Sequence, residues 1–178
     1  SAVALATVGT TTLKAEGLVM PEELKGNPFA TEWNTPHQTP PFSSIKIEHY
    51  VPAFDFAIAE NRAEIEAIIN NPEAPTFENT IVALDQSGQL LRKVRGTFSP
   101  LSSSNSNDET RALQKEMSPL SSTHNDDINL NEKLFARVKS VYDSRESLTL
   151  TPEQAKVLEN TYDRFVNSGA ELNDADKA

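Results

Sequence analysis

The chain has 178 residues, no cysteine and a formal net charge of -10. Its length suits one domain, or one lobe of a larger protein, and can bury a helical core without disulfides. The missing cysteines exclude thiolate zinc sites, iron–sulfur clusters and cysteine nucleophiles, while the acid excess disfavours nucleic acid and anionic membranes as partners.

Ser1 to Lys14 opens with small and apolar residues followed by a threonine run. The apolar part is too short to span a bilayer but resembles the tail of a secretory signal. Residues 1–26 therefore read as a flexible arm or signal-sequence remnant. Export to the periplasm is the expectation, with a cytoplasmic location as the alternative. Residues 27–44 form a proline-rich arm. Prolines recur from Pro21 to Pro41, favouring irregular extended backbone, and Phe29, Trp33 and Phe42 are expected to anchor the arm to a helical body.

From residue 45 to residue 178 the period is helical. Between about Glu48 and Asn70, apolar Val51, Phe54, Ile58, Ile65 and Ile69 recur at three- to four-residue spacing. Arg62 and Glu66 lie one turn apart and can pair weakly. Asn70-Asn71-Pro72 ends this helix. A second helix is expected after Pro75, capped by Thr76, with Phe77, Ile81, Leu84, Gly88, Leu91 and Arg95 along one stripe. A buried glycine costs helix stability, so Gly88 predicts a close approach between helices or a local bend. The helix should weaken at Gly96 and Pro100, and Ser102 to Asn107 reads as a turn.

Ser106-Asn107-Asp108-Glu109 has capping-box spacing. The helix that follows carries Leu113, Met117, Leu120, His124 and Ile128, and Pro119 should kink it. Asn129-Leu130-Asn131-Glu132 caps a shorter helix with Leu134, Val138 and Val141. Thr151-Pro152-Glu153-Gln154 joins a cap, a first-turn proline and a glutamine that opens a helix packing Leu158, Tyr162 and Phe165, closed by Gly169. A further helix is expected to start at Asn173-Asp174, and the bundle is expected to be a lobe fragment truncated at its C-terminal end. The fold class is all-α, an up-and-down bundle of about five helices.

Local chemistry is sparse. The histidines are His37, His49 and His124. A zinc-protease helix needs two histidines one turn apart with an intervening glutamate, yet Ala53 and Ile128 stand one turn after His49 and His124. His124, on an apolar stripe, is expected to be a buried or boundary side chain. Asp127 to Asn131 imitates the opening of a calcium loop, but Glu132 and Val138 replace its glycine and its bidentate glutamate. Ser87-Gly88 is expected mid-helix, unlike a nucleophile elbow. No catalytic, cofactor-binding or metal residue is assigned in the chain.

The order of segments adds a resemblance. Thr39-Pro40-Pro41-Phe42, Ile45-Lys46-Ile47-Glu48-His49-Tyr50-Val51-Pro52, Phe77-Glu78-Asn79-Thr80-Ile81, Asp85-Gln86-Ser87-Gly88 and Leu130-Asn131-Glu132-Lys133-Leu134-Phe135 follow one another much as in bacterial peptidyl-dipeptidases. The chain resembles, from about Asn27 onwards, the N-terminal helical region of the thimet oligopeptidase family of zinc metallopeptidases. That resemblance implies one non-catalytic lobe of a two-lobed hydrolase that removes C-terminal dipeptides from oligopeptides, forming one wall of the substrate channel. It implies zinc in the parent enzyme, bound outside this chain. The partners it implies are a C-terminal catalytic lobe and short peptides, with neither nucleic acid nor membrane. The competing reading is a stand-alone helical binding or scaffold module without enzymatic activity.

Overall fold

The computed structural model describes residues 18–35, 39–104 and 107–170. Among them are five long α-helices, one short α-helix, several 3-10 or π-helical turns and no strand, so the all-α expectation holds. The long central helix α1 (Tyr50–Ile69) contributes to two separate cores. Its first half places Tyr50, Phe54 and Ile58 against Leu91, Val94 and Phe98 of α3 (Gln89–Ser104), with Leu113 and Met117 of α4 (Asp108–Asn129). Its second half places Ile65 and Ile68 against α2 (Ala83–Gln86) and the π-helical turn Phe77–Val82 that leads into it. The same core takes Leu134, Phe135 and Val138 of α5 (Glu132–Asp143), and Leu158 and Phe165 of α6 (Pro152–Asn167). Each fully buried side chain of this size contributes roughly 1.5–3 kcal/mol relative to exposure.

The arm is fixed to the first core by directed bonds. Asn27 donates from Nδ2 to the His49 carbonyl at 2.9 Å and accepts from the Phe29 amide at 3.0 Å. Lys93 of α3 donates to the carbonyls of Phe29 and Thr31 and lies 4.3 Å from the Trp33 ring centre. Phe29 is buried, as expected, but Phe42 is half exposed. Within residues 18–26, Glu22–Leu24 forms a 3-10 turn and Leu24 is buried in the first core, because its apolar side chain reaches Phe29 and α1.

Several sequence expectations change in the fold. The helix expected to run from Thr76 through Arg95 is broken. Gly88 has a φ of 68°, a left-handed conformation in which an L side chain is strained, and α3 starts afresh after it. Ser87-Gly88 is thus a break between helices, not a mid-helix pair. The close approach expected at Gly88 is present: a Cβ there would sit 3.1 Å from the Asn61 side chain. Beyond the break α3 buries Leu91, Val94 and Phe98 at three- and four-residue spacing, and Arg95, expected on the stripe, is exposed.

Pro100 does not end α3, which continues to Ser104. Gly96 and Pro100 both face solvent, where a missing helical hydrogen bond is least costly. The expected turn from Ser102 is therefore helical up to Ser104, and Ser106 lies outside the described residues. The cap of α4 is Asn107, paired reciprocally with Thr110 rather than with Glu109. Leu120 and Pro119 are exposed on α4, which runs through the proline as one helix. Arg62 pairs with Asp127 of α4 at 3.1 Å instead of Glu66, because α4 crosses α1 at that point. The Thr151–Gln154 capping box and the positive φ at Gly169 are as expected.

Gly88 and Gly26 separate two penalties. Both have positive φ, but nothing lies within 4 Å of a Cβ placed at Gly26. Gly88→Ala should destabilise the chain by about 1–3 kcal/mol through backbone strain, with an added penalty from crowding of Asn61. Gly26→Ala should show the strain alone. Urea unfolding midpoints of the two variants provide the measurement, and an equal loss at both positions would remove the crowding argument.

Candidate functional site

The two cores meet at a polar seam across the middle of α1. Asn61 falls on the buried face and is only 5 % exposed. Its Oδ1 faces His124 Nε2 of α4 at 2.8 Å, and its Nδ2 donates to Glu64 Oε2 at 3.2 Å. The same Glu64 oxygen accepts the Gly88 amide at 2.7 Å. A carboxylate one turn along α1 therefore holds the backbone amide at the helix break. The chain of bonds runs from α4 through α1 to the start of α3, and every link involves a group that would otherwise be desolvated without a partner.

His124 is 1 % exposed, bearing out the buried alternative for this residue. Because a carbonyl oxygen accepts from Nε2, the proton resides on Nε2 and Nδ1 carries the lone pair. Nδ1 is buried with no hydrogen-bond partner among the described residues. A second proton there would be a buried donor without an acceptor. Burial holds the imidazole pKa below its ordinary 6.5, the nearby Arg62 and Arg95 charges lower it further, and Asp127 offsets part of the effect.

The remaining sequence candidates do not converge. His49 accepts the Lys46 amide through Nδ1, and His37 lies outside the described residues. In the calcium-like segment, Asp127 is paired with Arg62 and Asn131 caps α5 through the Leu134 amide. Among the described residues no three His, Asp or Glu side chains come together as a metal site. The His124–Asn61–Glu64 seam escaped the sequence reading because its partners are 63 and 3 residues apart. A polar Asn61 interrupting an apolar stripe was the available signal.

Two clefts flank the seam. One, of about 380 Å³, lies between the arm, α1 and the start of α3, with Leu24, Phe29, Phe56 and Leu90 on its walls and Glu60 and Glu64 beside them. The other, of about 640 Å³, lies on the far side of the Ser87–Gly88 break, where Arg92 and Arg95 of α3 face Arg164 of α6. Neither contains a nucleophile activated by a neighbouring base.

The fold and seam define an all-helical body whose central polar groups join two cores. No model of a known protein family matches the chain. It is 44 % identical over 152 residues, 85 % of its own length, to dipeptidyl carboxypeptidase of Escherichia coli strain K12, of which it covers 22 %. It is 43 % identical over the same share to dipeptidyl carboxypeptidase of Salmonella typhimurium. To oligopeptidase A of Salmonella typhimurium it is 30 % identical over 146 residues, covering 21 % of that protein. The chain thus spans about a fifth of the length of the curated relatives it matches. These similarities bear out the family resemblance read from the sequence: over this region the chain is homologous to the dipeptidyl carboxypeptidases and, more distantly, to oligopeptidase A.

The seam has a pH signature. Below pH 6.5, the ordinary histidine value, the unfolded chain binds a proton at His124 that the folded chain does not. Stability contributed by the neutral imidazole is therefore full above that value and falls as the pH drops towards the lowered folded value. Urea midpoints measured between about pH 7.5 and about pH 5 should decline more steeply for the natural chain than for His124→Gln. Parallel profiles would show that His124 does not titrate in this way. Asn61→Ala should cost about 1–3 kcal/mol at neutral pH by orphaning the buried Nε2–H.

Proposed function

We propose that the protein containing this chain is a zinc-dependent peptidyl-dipeptidase and that the chain forms part of its non-catalytic lobe, one wall of the substrate channel. The carrying observation is the 44 % identity to a dipeptidyl carboxypeptidase across 85 % of the chain. In this reading the partner is a C-terminal catalytic lobe of the same protein, and the substrates are short peptides. The lobe selects by size: a wall of packed helices excludes folded proteins and admits flexible chains.

The residues described here do not fit the zinc ion of that proposal. His124 has committed Nε2 to Asn61, His49 has committed Nδ1 to Lys46, and neither belongs to a metal-ligating group. No hydrolytic step is assigned to them, and zinc belongs to the rest of the proposed enzyme. The chain instead supplies a rigid support, since α1 ties both cores to one seam.

The test uses the whole protein and an amino-blocked tetrapeptide with a free C-terminus. Release of the C-terminal dipeptide, abolished by a chelator and restored by zinc, is expected. Stepwise release of single amino acids, or turnover indifferent to chelation, would overturn the reading. The 178-residue chain alone should contain no stoichiometric zinc by elemental analysis and release no dipeptide; one equivalent of zinc with turnover would move the chemistry into this lobe. Fractionation of cells for the whole protein examines the accompanying proposal of export, which a purely cytoplasmic distribution would remove.

A further inference from the structure

The cleft beyond the Ser87–Gly88 break concentrates positive charge in a chain whose net charge is -10. Three guanidinium groups line it, Arg92, Arg95 and Arg164, and no carboxylate does. Arg92 is structural: it donates to the carbonyls of Ser87 and Asp85 at 2.5 and 3.2 Å, closing the end of α2. Arg95 and Arg164 are exposed, and neither guanidinium makes a hydrogen bond or ion pair among the described residues. Arg164 rests over the Phe165 ring at 5.4 Å, which orients it without neutralising it. Asp85 acts on Arg164 only as a nearby charge, whereas Glu64 and Asp127 are engaged by Gly88 and Arg62.

Two further features complete the cleft. The N-terminal end of α3, a helix of 16 residues, lies at its wall through Gly88, whose own amide is taken by Glu64. Ile65, Leu84, Leu91 and Ile128 supply apolar surface beside the arginines. The volume of about 640 Å³ falls within the range of small-ligand sites. A lone inorganic anion would leave the apolar part uncovered. A peptide carrying carboxylate side chains would use both, its planar carboxylates matching the guanidinium forks and its aliphatic stems lying on the apolar wall.

We propose that this cleft is a subsite for acidic peptide segments, read by Arg95 and Arg164. The proposal rests on the peptidase reading for its choice of a peptide as ligand, and adds a preference for acidic residues held away from the scissile bond.

Isothermal titration of the full chain with acetyl-Ala-Glu-Glu-Ala-amide and with its Gln-Gln counterpart provides the test. Blocked ends confine the charge difference to the side chains. The acidic peptide should bind at least about tenfold more tightly, and the preference should shrink as salt is raised. Arg95→Gln and Arg164→Gln should each weaken it by about three- to tenfold, with Lys156→Gln as a remote charge control that leaves it unchanged. Both arginines are exposed, so circular dichroism should show an unchanged fold in the variants. Equal binding of the two peptides would overturn the proposal, as would full affinity in the Arg95→Gln/Arg164→Gln double variant. Displacement by inorganic phosphate at the same concentration as the peptide would reduce the cleft to a general anion site and overturn it too. Dipeptide release by the whole protein without any such binding would leave the peptidase reading standing and this inference refuted.

Discussion

Midway along α1 a buried amide has to satisfy donors and acceptors away from water, and the way Asn61 does so governs the arrangement of the bundle. An amide offers an oxygen and two N–H groups, and each left unpaired in the interior would carry a desolvation penalty of about 1–3 kcal/mol. Asn61 places its oxygen against His124 and its nitrogen against Glu64, whose carboxylate in turn takes the Gly88 amide. Geometry at this point is directional, unlike the apolar packing on either side. Apolar cores tolerate small rearrangements, but a hydrogen-bonded seam fixes where α4 crosses α1 and where α3 begins.

The two cores follow from that division. Tyr50 bridges the arm and α3 by ring contacts with Phe29 and Phe98 at 5.1 and 5.5 Å. At the other end Tyr142 stacks on Tyr162 at 3.9 Å, and Phe135 on Phe165 at 5.9 Å, joining α5 to α6. Arg137 of α5 donates to the carbonyls of Asn71 and Glu73 and to Asn79, clamping the loop between α1 and the π-helical turn. The described residues thus form two helical packs on one axis, with polar bonds concentrated where they join and where loops return.

The open surface near the seam carries a different character. Arg95 of α3 lies outside the core and lines one cleft with Arg164 of α6, although about 70 positions of sequence separate the two arginines. The strained glycine sits in crowded contact with Asn61 and on the wall of the basic cleft.

The sequence by itself determined the helical class, most element boundaries and several caps, because these depend on interactions within a few residues. Thr151 with Gln154, Thr76 with Asn79 and the period of Phe54, Ile58 and Ile65 are local and readable. It also carried the family likeness, which resides in the order of segments. Tertiary structure alone decided the partner of Arg62, the burial of Leu24 against the exposure of Phe42, and the persistence of α3 through Pro100. It alone assembled His124, Asn61, Glu64 and Gly88, and gathered the arginines of α3 and α6. The physical reason is range: a cap or an amphipathic stripe is set by neighbours in the chain, whereas desolvation and charge proximity depend on which helices the packing brings together.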